Sequence, residues 1–182
     1  MKIIDTGIKD LILIEPTVYG DERGYFMETY NEKTWKNIVG EVPNFIQDNE
    51  SMSQKGVLRG LHFQKPPFQQ GKLVRVVKGS VLDVAVDLRK SSPTYGQHFK
   101  VLLSEENKLQ LYVPEGFAHG FLTLEDNTIF NYKCTNLYNK ESEGGLQWND
   151  PELNIDWGEK KPLLSEKDRF YKDFISFVTP FL

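Results

Sequence analysis

Hydrophobic and polar positions alternate most clearly between residues 81 and 88 of the chain. The even positions from 82 to 88 read Leu-Val-Val-Leu, and the odd positions from 81 to 87 read Val-Asp-Ala-Asp. A period of two residues is that of a β-strand with one apolar face and one mixed face. A second apolar run, Leu73–Val77, comes just before, and Lys-Gly-Ser separates the two. The pattern therefore predicts a β-hairpin.

Similar extended segments recur roughly every ten residues, with turn-forming residues between them. The candidates are Gly56–Gln64, Phe99–Ser104, Lys108–Val113, His119–Thr123 and Ile129–Thr135. This spacing is typical of an all-β sandwich or barrel. We predict a jelly-roll β-barrel or sandwich with short flanking helices.

Two short segments have helical patterns. The first is Asn31–Val39, with Asn31 as a plausible N-cap. The second is Ser165–Asp173, where Ser165 is the cap and Asp168 follows three residues later, as in a capping box.

Composition narrows the class of protein. The chain has 182 residues, which predicts a single domain over 1–182, and a net charge of −4, which argues against a general nucleic-acid-binding surface. Its one cysteine, Cys134, allows no internal disulfide, and we find no signal-peptide core and no apolar run long enough to span a membrane. We therefore expect a cytoplasmic protein without a membrane partner.

The densest cluster of candidate chemistry is a Gly-Val-Leu-Arg-Gly-Leu-His-Phe-Gln run that carries Arg59 and His62. On an extended strand His62 shares a face with Leu58 and Gln64, and Arg59 faces the other way unless the strand bends at Gly60. Two interpretations stay open: a ligand cavity, or a core histidine satisfied by a neighbouring carboxylate.

A second cluster, Pro114–Phe121, places His119 beside Gly120 just after a tight turn. Small neighbours leave room for a ligand group beside the imidazole, and an exposed histidine after a glycine-requiring turn is the alternative. The three histidines of the chain include no His-x-His pair of the kind that metal-binding barrels use, so we expect no metal site.

A third cluster is Ile129–Thr135, where Tyr132 shares a face with Phe130 and Cys134 and therefore points inward. A phenol in a polar cavity is a suitable proton donor, and ordinary aromatic packing is the alternative. Four basic residues are scattered along the chain, and each alone is typical of a solvated surface charge. Together they would bind a diphosphate and stabilise an enolate: Arg23, Arg59, Lys72 and Arg169.

Taken together, these stretches resemble the dTDP-4-dehydrorhamnose 3,5-epimerase family. The most specific matches are Arg59-Gly60-Leu61-His62 and the run Pro114–Phe121. The similarity extends in the family's order over Asp21–Tyr30, Gln47–Ser53, Val57–Gln64, Gly71–Val76, Asp83–Pro93, Pro114–Leu122, Tyr132–Thr135 and Glu143–Pro151.

The resemblance implies a metal-free, cofactor-free, cupin-like jelly roll that forms a homodimer, with the N-terminal part of each subunit reaching its partner. It implies epimerisation of dTDP-4-dehydro-6-deoxy-D-glucose at C3 and C5, giving dTDP-4-dehydro-β-L-rhamnose. It also implies a place in nucleotide-sugar and surface-polysaccharide synthesis.

The same resemblance assigns four catalytic roles. His62 is the base and Asp168 its carboxylate partner, with Asp83 as a second candidate for that partnership or for holding Lys72. Lys72 stabilises the enolate, and Tyr132 is the acid on the opposite face.

The resemblance also assigns substrate contacts. Arg23 and Arg59 match diphosphate contacts, His119 a sugar or phosphate contact, and Tyr138 the residue that stacks on thymine. The remaining matches are Phe26, Glu28, Gln47, Asn49, Glu143 and Arg169. If the N-terminal part crosses to the partner, then Arg23, Phe26 and Glu28 serve the neighbouring site. Arg169 stands where relatives often carry another residue.

Three alternative functions are compatible with the same residues. One is an epimerase acting only at C3 or only at C5 of a related nucleotide 4-keto-6-deoxy sugar, which would use the same base and acid. The others are a 3,4-ketoisomerase and a sugar-nucleotide-binding module without catalysis.

Overall fold

Thirteen strands and one α-helix make up the computed structural model, which describes residues 1–182. In chain order the strands are β1 (Lys2–Asp5), β2 (Ile12–Glu15), β3 (Val18–Asp21), β4 (Gly24–Met27), β5 (Gln47–Ser53), β6 (Leu58–Gln64), β7 (Lys72–Lys78), β8 (Ser80–Asp87), β9 (His98–Ser104), β10 (Gln110–Val113), β11 (Phe117–Thr123), β12 (Thr128–Cys134) and β13 (Glu143–Gly145). Helix α1 (Glu32–Val39) lies between β4 and β5, and single 3-10 turns occupy Lys140–Ser142 and Lys167–Arg169.

The strands form two large sheets and one small one. The six-stranded sheet has the order β1-β2-β10-β7-β12-β5, and the five-stranded sheet has the order β13-β6-β11-β8-β9. Every pairing between these strands is antiparallel. Strands β3 and β4 form a separate two-stranded hairpin. The all-β jelly-roll prediction is confirmed.

The predicted hairpin between residues 73 and 88 is wrong. Strands β7 and β8 are separated by Gly79 alone, yet they belong to different sheets. Gly79 has a φ of 77°, its N–H donates to Glu105 Oε1 at 2.9 Å, and Thr128 fills the space where a side chain would stand. The chain therefore turns a corner from one sheet to the other and does not fold back on itself.

The largest cluster of buried apolar side chains lies between the two large sheets. Val74, Val76 and Phe130 of the six-stranded sheet pack there with Ala85 and Phe121 of the five-stranded sheet. Any cavity between the sheets is therefore lined by side chains from their two inner faces.

The apolar face of β8 points the other way. Val84 and Val86 pack outward under the C-terminal segment (residues 146–182), against Leu153, Trp157 and Phe181. The mixed face, which carries Asp83, therefore points into the sandwich. This packing also holds the C-terminal segment close to β6.

The two helix predictions have different outcomes. Helix α1 is confirmed, and the Asn31 Oδ1 accepts the Thr34 N–H at 3.0 Å as an N-cap. The predicted helix Ser165–Asp173 is wrong beyond one 3-10 turn, although Ser165 Oγ does accept the Asp168 N–H at 3.3 Å. The chain becomes extended after this turn because Lys172 pairs in parallel with Leu146.

None of the helices has the length and apolar character needed to cross a lipid bilayer.

Candidate active site

A cavity of about 470 Å³ opens between the sheets. Six of the residues predicted from the sequence line it: Arg59, His62, Lys72, His119, Tyr132 and Asp168. They come from β6 and β11 of one sheet, from β7 and β12 of the other, and from the C-terminal segment. The fold thus brings together residues that are far apart in the sequence.

A bulge in β6 decides which side chains reach the cavity. His62 pairs with His119 of β11, but Arg59 pairs with Phe121, so β6 uses one residue more than β11 over this interval. The bend at Gly60 therefore places Arg59 and His62 on the same side. The sequence analysis placed Leu58 on the same face as His62, and the bend makes this wrong. Leu58 packs instead with Leu61, in the apolar cluster that also contains Val84 and Val86.

His62 and Asp168 are in direct contact. The His62 Nε2 lies 2.5 Å from the Asp168 Oδ1, and the Asp168 side chain is 2% exposed. Burial lowers the pKa of His62, and the hydrogen bond that Asp168 accepts from its Nε2–H opposes that shift without cancelling it. Burial pushes the pKa of Asp168 upward, but the hydrogen bond with His62, the charge of His62, Ser165 and Lys167 together outweigh it and hold the pKa below its usual value. The imidazole is therefore neutral and its partner ionised at neutral pH.

Lys72 and Tyr132 face this pair from the other sheet. The Lys72 Nζ lies 6.0 Å from the centroid of the Tyr132 ring. Burial lowers the pKa of Lys72, while the carboxylates of Asp83 and Glu143 act in the opposite direction. Burial raises the pKa of Tyr132, so the phenol keeps its proton at neutral pH.

His119 is buried, in contrast to the exposed alternative. Its Nε2 lies 2.9 and 3.0 Å from the two carboxylate oxygens of Asp83, which is fully buried. Asp83 is therefore the partner of His119 and not of His62. Such a contact fixes the orientation of the imidazole beside the cavity.

A second cavity of about 360 Å³ shares His62, Lys72, Tyr132 and Lys167 with the first, so the two cavities adjoin each other. Its lining includes four more predicted residues: Gln47, Asn49, Tyr138 and Glu143. The Gln47 Nε2 donates to the Asn49 Oδ1 at 3.0 Å. These amides lie on β5, which is an edge strand with exposed polar positions.

Glu143 connects the rim of the second cavity to the centre of the site. It accepts hydrogen bonds from the hydroxyls of Tyr138, at 2.7 Å, and Tyr171, at 3.2 Å, and it pairs with the Lys167 ammonium. Burial pushes the pKa of Glu143 upward, but Lys167 and Tyr138 pull it down by more than burial raises it. The carboxylate therefore stays ionised.

The sequence interpretation missed several of these contacts. Lys167 lines both cavities, Tyr171 touches His62 and Glu143, and Ser53 accepts the Arg59 Nε–H at 3.1 Å. The only feature of the sequence that could have indicated a site role for Lys167 was its position directly before Asp168. Nothing in the sequence pattern distinguished Tyr171 from the other aromatic residues near the C-terminus.

Four predicted site residues line neither of the two cavities of this single chain. Arg23 and Phe26 line a separate cleft on the β3–β4 hairpin, where Phe26 is 66% exposed. Glu28 follows the hairpin and accepts a hydrogen bond from Asn31. Arg169 is exposed on the C-terminal 3-10 turn.

No three His, Cys, Asp or Glu side chains cluster in a way that would hold a metal ion.

Comparison with known proteins gives a consistent result. The model of the dTDP-4-dehydrorhamnose 3,5-epimerase family matches residues 5–175. A protein of that name from Shigella flexneri is 56% identical over 168 residues, which cover 92% of this chain and 93% of the relative.

Solved structures agree in both fold and sequence. A dTDP-4-dehydrorhamnose 3,5-epimerase from Elizabethkingia anophelis has a TM-score of 0.92 and 53% identity, covering 96% of this chain and 97% of that one. A dTDP-6-deoxy-D-glucose-3,5-epimerase from Legionella pneumophila, solved with dTDP-4-keto-L-rhamnose, has a TM-score of 0.93 and 49% identity, covering 97% and 94%. This chain therefore belongs to the dTDP-4-dehydrorhamnose 3,5-epimerase family.

Proposed function

We propose that this protein converts dTDP-4-dehydro-6-deoxy-D-glucose to dTDP-4-dehydro-β-L-rhamnose by inverting C3 and C5. One observation carries the proposal. The His62–Asp168 pair and the Tyr132 phenol project into one cavity from opposite sheets of the sandwich, so a base and an acid face each other across it. Inversion at carbon requires removal of a proton from one face and delivery to the other. The names of the similar proteins support the same reaction.

The ketone at C4 makes both neighbouring C–H bonds acidic, because the charge left behind moves onto oxygen as an enolate. In our proposal His62 removes the proton. Its Nε2 faces Asp168, so Nδ1 is the nitrogen left to accept it. The Asp168 carboxylate stabilises the imidazolium that results, as the aspartate of a Ser-His-Asp triad does.

The enolate oxygen needs a fixed positive charge. Lys72 suits this role because its ammonium lies inside the cavity, where electrostatic interactions are less screened than in water. Tyr132 then delivers a proton from the other face. Its raised pKa suits a donor that must not ionise beforehand.

The remaining predicted residues are proposed as substrate contacts. Arg59 and His119 would hold the diphosphate or the sugar beside the base, since both line the first cavity. The nucleotide would occupy the second cavity, with its base stacked on the exposed ring of Tyr138 and its polar groups near Gln47, Asn49 and Glu143. Arg169 would act only at the outer rim.

We also propose a homodimer in which the β3–β4 hairpin completes the partner's site. The hairpin pairs with neither large sheet, and it exposes Tyr19, Tyr25 and Phe26. An exposed aromatic group of this kind favours an interface. Arg23, Phe26 and Glu28 would then contact the nucleotide sugar bound by the neighbouring subunit.

A cytoplasmic location is also part of the proposal. The free thiol of Cys134 supports it, because unpaired cysteines are usual in reducing compartments.

The experiment that tests the reaction is solvent isotope incorporation. The purified protein is incubated in D₂O with dTDP-4-dehydro-6-deoxy-D-glucose, and NMR follows both C3 and C5. Deuterium at both carbons with the L-configured product supports the double epimerase. Deuterium at one carbon indicates a single-centre epimerase, and movement of the ketone to C3 indicates a 3,4-ketoisomerase.

Two variants separate the base from the acid. Tyr132→Phe should retain exchange with solvent deuterium while losing most inverted product, because His62 can remove a proton and return it to the same face. His62→Ala should lose exchange while still binding the nucleotide sugar by calorimetry. Binding without any exchange in the wild type would identify a non-catalytic binding module. Full inversion by Tyr132→Phe would contradict the assigned acid.

A further inference from the structure

Tyr171 touches both the proposed base and the carboxylate at the rim. Its ring meets the His62 imidazole edge to face, with centroids 5.7 Å apart and planes at 69°. Its hydroxyl donates to the Glu143 Oε1 at 3.2 Å. It lies three residues after Asp168 in the sequence.

The space for this ring is provided by a glycine on β13. Gly145 pairs directly with His62, and a Cβ at Gly145 would lie 2.6 Å from two atoms of the Tyr171 ring. The tyrosine thus occupies the volume that the cross-strand neighbour of His62 would otherwise fill. It covers the imidazole from the β13 side.

The hydrogen bond to Asp168 alone leaves the plane of the imidazole free to tilt about the Nε2···Oδ1 line. The chemical step requires Nδ1 to point at the carbon-bound proton. We propose that Tyr171 is a positioning residue for His62: its ring fixes the plane of the imidazole, and its hydroxyl holds Glu143 in place at the rim. This inference rests on the proposed function, in which His62 is the base.

The charged surroundings of His62 define what a change at Tyr171 would do. Asp168 and Lys167 face it from the C-terminal segment, Lys72 from β7 and Glu143 from β13. Arg59, His119 and Tyr132 line the same cavity. Of these groups, only Glu143 loses a hydrogen bond when Tyr171 is replaced by Leu, and it keeps its contacts with Tyr138 and Lys167. Loss of the ring therefore acts mainly by admitting water, which reduces the burial that lowers the pKa of His62.

The first test does not depend on activity. The chain has only three histidines, so the His62 ring can be titrated by NMR, with His62→Gln to assign its signal. We expect Tyr171→Leu to raise the pKa of His62 toward the ordinary value and Tyr171→Phe to leave it close to wild type. Tyr95→Leu is the matched control, since Tyr95 packs on Phe174 of the same C-terminal segment without lining either cavity.

The second test is a separation of kcat from KM. Tyr171→Leu should lower kcat about tenfold, since a small misplacement of a catalytic group is costly. Tyr171→Phe keeps the ring and loses only the bond to Glu143, so it should raise KM while kcat falls less than about threefold. Tyr95→Leu should change neither constant. If Tyr171→Leu does not fold, Tyr171→Met replaces it, because it fills the space without a planar ring.

The outcomes are distinguishable from those of the proposed function. A Tyr171→Leu protein with the wild-type His62 titration and the wild-type kcat overturns the positioning role, while wild-type turnover still upholds the epimerase. A wild-type protein that exchanges no deuterium overturns the epimerase, and the positioning of His62 for that reaction is overturned with it. A shifted titration together with a reduced kcat supports the inference.

Discussion

The reactivity of His62 depends on two opposing effects that the surrounding residues impose on its ring. Burial favours the neutral imidazole, and the adjacent Asp168 carboxylate favours the protonated one, with burial the stronger. A base that is already neutral near pH 7 needs no activation before it removes a carbon-bound proton.

A pH profile tests this balance. The base works only when neutral, so kcat/KM should be lost as the pH falls through the pKa of His62, with a midpoint below 6.5. Asp168→Asn removes the effect that raises this pKa, so the midpoint should move further down while kcat falls roughly 100-fold or more. The exposed Asp156, which pairs with Lys100, offers the control variant Asp156→Asn, expected to match wild type. An acidic limb centred above 7 would contradict the assignment.

At the same scale, the sequence predicted some side-chain orientations and not others. The inward orientation of Tyr132 followed from strand periodicity, because β12 pairs with β7 without a register shift from Phe130 to Cys134. The side on which Arg59 would lie depended on an extra residue in β6, which only the pairing with β11 defines. The contact of Tyr171 with His62 depended on a tertiary path of the C-terminal segment that has no local pattern.

Among the structural elements, the end of β8 is held by one buried carboxylate. Asp87 is fully buried and accepts hydrogen bonds from Arg89, Ser92 and Thr94. Burial raises the pKa of Asp87, but these donors more than compensate and keep it below its usual value. The side chain of Asp87 therefore ties the loop that leads from β8 toward β9, alongside the backbone bonds of Asp87 with Gly96 and Gln97.

Replacement of that side chain should be costly. Asp87→Ala leaves the Arg89 guanidinium partly buried without its main partner, and we expect about 3–5 kcal/mol of lost stability. Asp10→Asn removes the charge of the exposed second partner of Arg89, and it should cost less than about 1 kcal/mol because asparagine tolerates the positive φ of 69° at this position. Urea unfolding at neutral pH measures both. Equal losses for the two variants would show that Asp87 does not hold the loop.

Strand and helix predictions failed where local pattern competed with tertiary contacts. Strands β1 to β5 and β13 were missed because they are short, or because both faces carry polar residues, as in β5. The hairpin at Gly79 was wrong because a turn signal indicates that the chain changes direction without indicating whether it stays in the same sheet. The helix predicted after Ser165 was wrong because Lys172 pairs with Leu146, which requires an extended chain.

At the scale of the whole molecule, our proposal makes each active site complete only in the dimer. Arg23 lies on the separate hairpin, outside the cavity that contains His62 of the same chain. The family resemblance implied that the N-terminal part, with Arg23, reaches the partner's site. The residue pattern alone could not indicate this, because the chain that supplies a residue leaves no periodicity in the sequence.

Mixing of two inactive variants tests whether the site is shared. Arg23→Ala and His62→Ala should each lose most activity, Arg23→Ala through weaker binding of the diphosphate. After joint refolding, a mixed dimer contains one site with an intact hairpin and an intact base, so activity should return to about a quarter of wild type, because half of the dimers are mixed and each has one working site. Asp168→Asn mixed with His62→Ala is the control and should remain inactive, since both residues belong to the same chain's site. No recovery in the first mixture would place Arg23 in its own chain's site.

The close contact between β6 and β11 has a consequence for protein engineering. A Cβ at Gly60 would lie 2.5 Å from the Gly120 Cα, and a Cβ at Gly120 would lie 2.8 Å from the Arg59 carbonyl oxygen. Each glycine is blocked by the backbone of the other strand, so no second substitution relieves the first. A mutant library aimed at new sugar substrates should hold both positions constant. Diversity belongs at Ser51, Leu163 and Leu164, which line the cavity without forming that contact.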